Sequence, residues 1–145
     1  MTPEDKELLF KDLCARLPYG VKCHYDVVVP MIGKVKSYDK LRAISEFDSK
    51  PCFQFGSNRD IFDFDNIKPY LFPISSMTEE IMDEIYNNTE VYDIGIDSPV
   101  HIEIEVGTTF EDLTKIINIL YKHHIDINGL IPKGLAIDCT NLNIY

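Results

Sequence analysis

The spacing of apolar residues changes twice along this chain, from helical to strand-like and back to helical. Leu9, Phe10, Leu13, Cys14 and Leu17 recur at the intervals that line one face of an α-helix. Thr2 ahead of Pro3, with Asp5 three residues on, reads as an N-cap followed by proline at the first helical position. Pro18-Tyr19-Gly20 ends that run. Towards the other end Thr109 caps a second helix, with Glu111 and Asp112 in its first turn, where the dipole favours anions. Its expected buried stripe is Phe110, Leu113, Ile116, Ile117, Leu120 and His124.

Between these helices the runs are short and β-rich. Val21 to Val29 reads as a strand closed by Pro30. Lys34 to Tyr38 and Leu41 to Phe47 read as a hairpin around Tyr38-Asp39-Lys40, and Cys52 to Phe55 with Ile61 to Phe64 as another around Gly56-Ser57-Asn58. Strands joined this tightly imply an antiparallel meander. Lys68 to Pro73 carries two prolines, so the expectation there is an extended segment rather than a central strand. Ser76 and Glu79 form an expected capping box, opening a short helix with Ile81, Met82, Ile85 and Tyr86 on one face. Val91 to Ile96 and Val100 to Val106 follow as strands. Ile131-Pro132-Lys133-Gly134 suits a type I turn before a last strand, Leu135 to Ile137. The expected fold is α+β: a mostly antiparallel sheet of five to seven strands, packed by the N-terminal and C-terminal helices plus a short middle helix. The apolar spacing implies one core, in a single domain spanning 1–145.

With 145 residues, 45% of them hydrophobic, the chain can close a core without staples. It has no run of the ~20 apolar residues a membrane crossing needs. Its opening residues lack the basic and apolar regions of a secretory leader, so the expected location is cytoplasmic. Cys14, Cys23, Cys52 and Cys139 match no metal knuckle or disulfide scaffold, and read as reduced thiols. The net charge of −10 is unevenly placed: from Arg59 to Asp112 the acids number 14 and the bases two, Arg59 and Lys68. That field repels a phosphate backbone and argues against general nucleic-acid binding, while a local basic pocket built from the flanking segments stays open.

No glycine pattern for a dinucleotide or P-loop, and no nucleophile elbow, occurs in the sequence, so no cofactor is implied. Asp60, Asp63 and Asp65 lack the glycine and distal glutamate of a calcium loop. His101, Glu103 and Glu105 alternate on one strand face, either as a solvated strip or as part of a metal site. His123 and His124 sit at a helix end with Asp126 nearby, open to capping, core packing, ligand contact or acid–base use. Arg16, Lys68 and Lys133, with Tyr19 and Tyr70, each lie beside a turn or proline break. They are ordinary turn residues, or an anion or nucleotide pocket combining charge with stacking.

Three stretches carry a resemblance: Lys11 to Val21, Ile67 to Pro73 with Ser75 to Thr78, and His123-His124 through Gly129-Leu130-Ile131 to Gly134-Leu135-Ala136. Together they resemble a family of small proteins carried by phages and mobile elements of gut anaerobes. The chain departs from that pattern at Tyr121, where a tryptophan-containing helix is common, and at Asn128, where an arginine often precedes the glycine. The family has no assigned activity, so the resemblance implies context and not chemistry. The expectation is a non-enzymatic accessory or counter-defence factor that sequesters a small nucleotide signal or blocks a host protein, with self-assembly open. The alternatives are an acidic mimic of nucleic acid that binds a basic host protein, and a small hydrolase using His101 or His124 with carboxylates.

Overall fold

A computed structural model describes the chain apart from residues 49, 57–59, 62, 92–93, 99–100 and 105–108. Helix α1 (Pro3–Arg16) starts as its sequence requires. Thr2 Oγ1 accepts the Asp5 amide at 3.1 Å, and the Asp5 carboxylate accepts the Thr2 amide at 3.3 Å, satisfying two donors that have no partner within the helix. A short 3₁₀ turn, Leu17–Tyr19, leads to Gly20 at φ +73°, where a Cβ would also run into the Lys40 side chain.

Six strands form the main sheet: β1 (Lys22–Val29), β2 (Gly33–Phe47), β3 (Lys50–Phe55), β4 (Asp60–Ile61), β5 (Ile67–Leu71) and β8 (Ile137–Asp138). Their spatial order is β4-β3-β2-β1-β5-β8, antiparallel throughout except for the β5–β8 pair. β6 (Ile94–Ser98) and β7 (His101–Ile104) make a separate antiparallel pair. Helices α2 (Glu79–Asn88) and α3 (Phe110–Lys122) complete an α+β architecture.

Four local expectations are corrected. Tyr38-Asp39-Lys40 is no turn: β2 runs unbroken past it and carries a bulge between Leu41 and Ala43, and the hairpin turn lies earlier, at Pro30–Ile32. Lys68 to Leu71 belongs to an interior strand. It accommodates Pro69 because β1 pairs with residues 67–69 on one side, while β8 pairs with 70–71 on the other. Of the expected strand Ile61 to Phe64, Ile61 ends β4 and Phe64 opens a 3₁₀ helix, Phe64–Asn66, capped by Asp63, while residue 62 lies outside the described residues. The cap of α2 is Thr78, whose hydroxyl accepts the Ile81 amide at 3.4 Å, whereas Ser76 ends the 3₁₀ turn Ile74–Ser76.

Among the described residues the apolar side chains form two clusters. Leu9 and Leu13 of α1 pack on the sheet face carrying Cys23, Tyr25, Leu41 and Phe53. Ile81 and Ile85 of α2 pack against Ile116, Ile119 and Leu120 of α3, with Ile74, Val91, Ile94 and Ile125. The buried line of α3 is therefore turned from the expected stripe: Phe110, Leu113 and Ile117 lie at the surface and Ile119 is inside. Glu84 of α2 fixes that rotation by accepting from Lys122 and pairing with His123, each at 2.7 Å.

A polar seam joins the two clusters. Arg16 and Asp12, one helical turn apart on α1, are both fully buried. The guanidinium reaches the carboxylate through Nε at 2.7 Å and a terminal nitrogen at 3.0 Å. That second nitrogen also donates to the Ile125 carbonyl at 2.7 Å. Asn128 donates to Asp12 at 2.9 Å and to the Tyr121 hydroxyl at 3.2 Å, and the guanidinium lies 4.8 Å from the Tyr121 ring centre. Breaking a buried pair leaves an uncompensated charge, whereas replacing both partners with apolar groups is far milder. Asp12→Ala is accordingly expected to lose about 3–5 kcal/mol in urea denaturation. The Asp12→Leu/Arg16→Met double variant should recover most of that loss.

Candidate functional site

Strand alternation sorts the charges of β1 and β2. Cys23, Tyr25 and Leu41 face α1 and are buried, so the residues between them project from the opposite face of the sheet. In register, Tyr38 of β2 stands beside His24 of β1, which stands beside Lys68 of β5. Lys40 stands beside Lys22 in the row before, and Lys36 beside Asp26 in the row after. Neighbouring strands are about 4.8 Å apart and rows about 7 Å apart. This open face thus carries Lys22, Lys34, Lys36, Lys40 and Lys68 in a chain of net charge −10.

Tyr38 is 59% exposed and meets Tyr70 edge-on, with ring centres 6.2 Å apart at 84°. Tyr70 lies beneath it, and burial, with Tyr38 second, raises its phenol pKa. Asp26 is the only carboxylate among these outward positions, and it lies 3.6 Å from His24 Nε2. No ion pair engages Lys34, Lys36, Lys40 or Lys68 among the described residues. Lys36 along β2 and Lys68 across β1 can offer charge to anionic oxygens near an exposed ring that can stack a flat group, whereas the Lys40 side chain lies against Gly20.

At one end the face is closed by Tyr145. Its hydroxyl accepts the Lys22 amide at 3.0 Å and donates to the Tyr70 carbonyl at 2.9 Å, one step beyond the last paired residues of β1 and β5. The Lys22 ammonium donates to the Ile144 carbonyl. The ring of His124 stacks on Tyr145, with centres 4.0 Å apart and planes at 18°.

The residues singled out from the sequence divide between this face, the seam and the surface. Lys68 and Tyr70 belong to the face. Arg16 lies inside the seam, with one guanidinium nitrogen buried and without a partner among the described residues. Asp126 orients neither histidine ring: its two oxygens accept the Leu130 and Ile131 amides at 2.8 and 2.7 Å, fixing the turn after α3. His123 clasps α2, Tyr19 is half-buried after α1, and Lys133 is exposed at its turn. Glu105 and the side chains of His101 and Glu103 lie outside the described residues. Among the described residues no three histidine, cysteine or acidic side chains converge as metal ligands.

Sequence reasoning missed Lys34, Lys36, Tyr38, Lys40 and His24. The signal was the every-second-residue spacing of Lys34, Lys36, Tyr38 and Lys40, concealed by the turn expected at Tyr38-Asp39-Lys40.

His124 is 7% exposed, sits at φ +57°, and keeps Nδ1 buried without a partner among the described residues. Burial, then the charges of Arg16, His123 and Lys22, push its pKa down to about 4. The folded protein therefore keeps a neutral ring where the unfolded chain binds a proton. Stability is complete above the ordinary histidine value of 6.5, falls as pH drops through the window to about 4, and is level below it. The fall is on the order of 2–3 kcal/mol. Urea denaturation at pH 7 and pH 4 should show it, and His124→Asn, which tolerates the left-handed backbone, should flatten it.

No family model, no curated protein and no solved structure matches the chain.

Proposed function

We propose that this protein is a non-enzymatic binding protein that captures a nucleotide on the open face of β1, β2 and β5. The observation supporting this reading is the exposed ring of Tyr38, set in register beside His24 and Lys68 and flanked by Lys36 and Lys40. A nucleobase has a flat π-face that stacks on tyrosine for about 1–3 kcal/mol per base. Its phosphates pair with lysines as point charges, without demanding the fork geometry of arginine.

Lys36 next to Tyr38 along β2, and His24 with Lys68 across the strands, would suit a small ligand with a base at its centre and phosphates at its edge. The acidic remainder of the chain opposes long polyanions, so the reading favours a mononucleotide or small cyclic nucleotide over a continuous strand. His124 is buried with its ring neutral, a poor position for a hydrolytic base at neutral pH, and this supports capture over turnover. In the setting that the sequence resemblance implies, capture would remove a host signal from circulation.

Calorimetric titration with mononucleotides, cyclic mono- and dinucleotides and ADP-ribose-type ligands at low salt tests the reading. One ligand should bind, weaken as salt rises, and be recovered chemically unchanged after heat release. Tyr38→Ala should weaken it about tenfold, equivalent to roughly 1.4 kcal/mol of lost stacking. Absence of heat with the whole panel, or an affinity indifferent to Tyr38→Ala and Lys40→Ala together, refutes nucleotide capture on this face.

A further inference from the structure

The β1–β2 hairpin outruns the rest of the sheet. Among the described residues β5 pairs with β1 at residues 23–25 and β3 pairs with β2 from Leu41 onward, so there Asp26–Val29 and Gly33–Lys36 pair only with each other. The free ribbon projects roughly 13 Å at about 3.3 Å per residue. Its turn is closed by the Ile32 amide donating to the Val29 carbonyl at 3.2 Å, with Pro30 and Met31 at the centre. Met31 holds φ +70°, where this type of turn ordinarily takes glycine. A strained position occupied by a large apolar side chain calls for a use. Met31 is fully exposed and Ile32 is 75% exposed, so neither contributes to this chain's own cores.

On another part of the molecule an apolar groove of about 600 Å³ runs between α1 and the β2–β3 end of the sheet. Phe10, Leu17, Ile44, Pro51 and Phe64 form its walls, and Cys14 opens into it. At its rim Glu46 has no ion-pair partner among the described residues, while Glu7 pairs with Lys11 and Lys6 reaches Asp65. The ribbon carries Lys34 and Lys36 just behind its apolar tip. The tip and the groove are complementary in hydrophobicity, and the lysines behind the tip can meet the unpaired Glu46 carboxylate at the rim.

We propose that the Met31–Ile32 tip of one chain docks in the α1 groove of a second copy, making the protein self-associating. Reciprocal docking closes as a two-fold dimer, and one-way docking extends as a chain of copies. The proposal does not require nucleotide capture, although Lys34 and Lys36 of the ribbon also belong to that face.

Cys14 supplies the test, because it is exposed whereas Cys23, Cys52 and Cys139 are buried. In the Met31→Cys variant, mild oxidation should form a disulfide from Cys14 of one chain to the new thiol of another. That species would run as a covalent multimer on a non-reducing gel and be absent when Cys14→Ser is added. Sedimentation of the unmodified protein should give a mass above that of one chain. Ile32→Ser should weaken association roughly tenfold or more, the effect of withdrawing one buried aliphatic side chain, with no change in the melting of the monomer. A single-chain mass at every concentration, an intrachain bridge, or an association unmoved by Ile32→Ser overturns the proposal.

Discussion

The Asp12–Arg16 pair is the constraint on which the rest of the structure depends. It is buried between two apolar clusters, so its charges must satisfy each other, and both side chains are held rigid by α1. Through Arg16 the helix reaches the carbonyl of Ile125, and through Asp12 it reaches Asn128. The chain after α3 is thereby held against α1. The same segment completes β5, because the Phe72 amide donates to His124 and the Asp126 amide donates to Phe72. One ion pair thus sets how the sheet and the α2–α3 layer meet. Tyr121 and Asn128 are both partners in that seam.

Strand alternation explains how an acidic chain presents a basic surface. Every second residue of β2 from Lys34 to Lys40 projects outward, while many acids of the middle third lie on other elements, among them α2, the 3₁₀ turn after β4 and the start of α3. At physiological ionic strength charges separated by more than about 8 Å are largely screened, so net charge is a poor guide to what one face attracts. Local register decides it.

What was legible in the sequence was local. Both long helices begin at a threonine cap with an aspartate three residues on, and both caps form as that spacing requires. The order of helices and strands followed from the change in apolar period. Asp12 and Arg16 stand four apart, as an exposed ion pair on a helix also would, and only tertiary packing decides that this one is buried. Pro69 and Asp39 misled for a related reason. Each carries a turn-forming residue type, and each is overruled by neighbouring strands that impose extended backbone. The open lysine face depended on reading β2 as one strand, so the site was lost with the turn.

Tyr145 changes what the sheet's edge can report. A side-chain hydroxyl, rather than a direct peptide-to-peptide bond, spans the gap between the Lys22 amide and the Tyr70 carbonyl. The proton on that amide is therefore shielded only while residues 139–145 stay docked, independently of whether the β-ladder itself is intact. Its deuterium uptake, compared with that of Tyr25 three residues along β1, would separate undocking of the tail from opening of the strands.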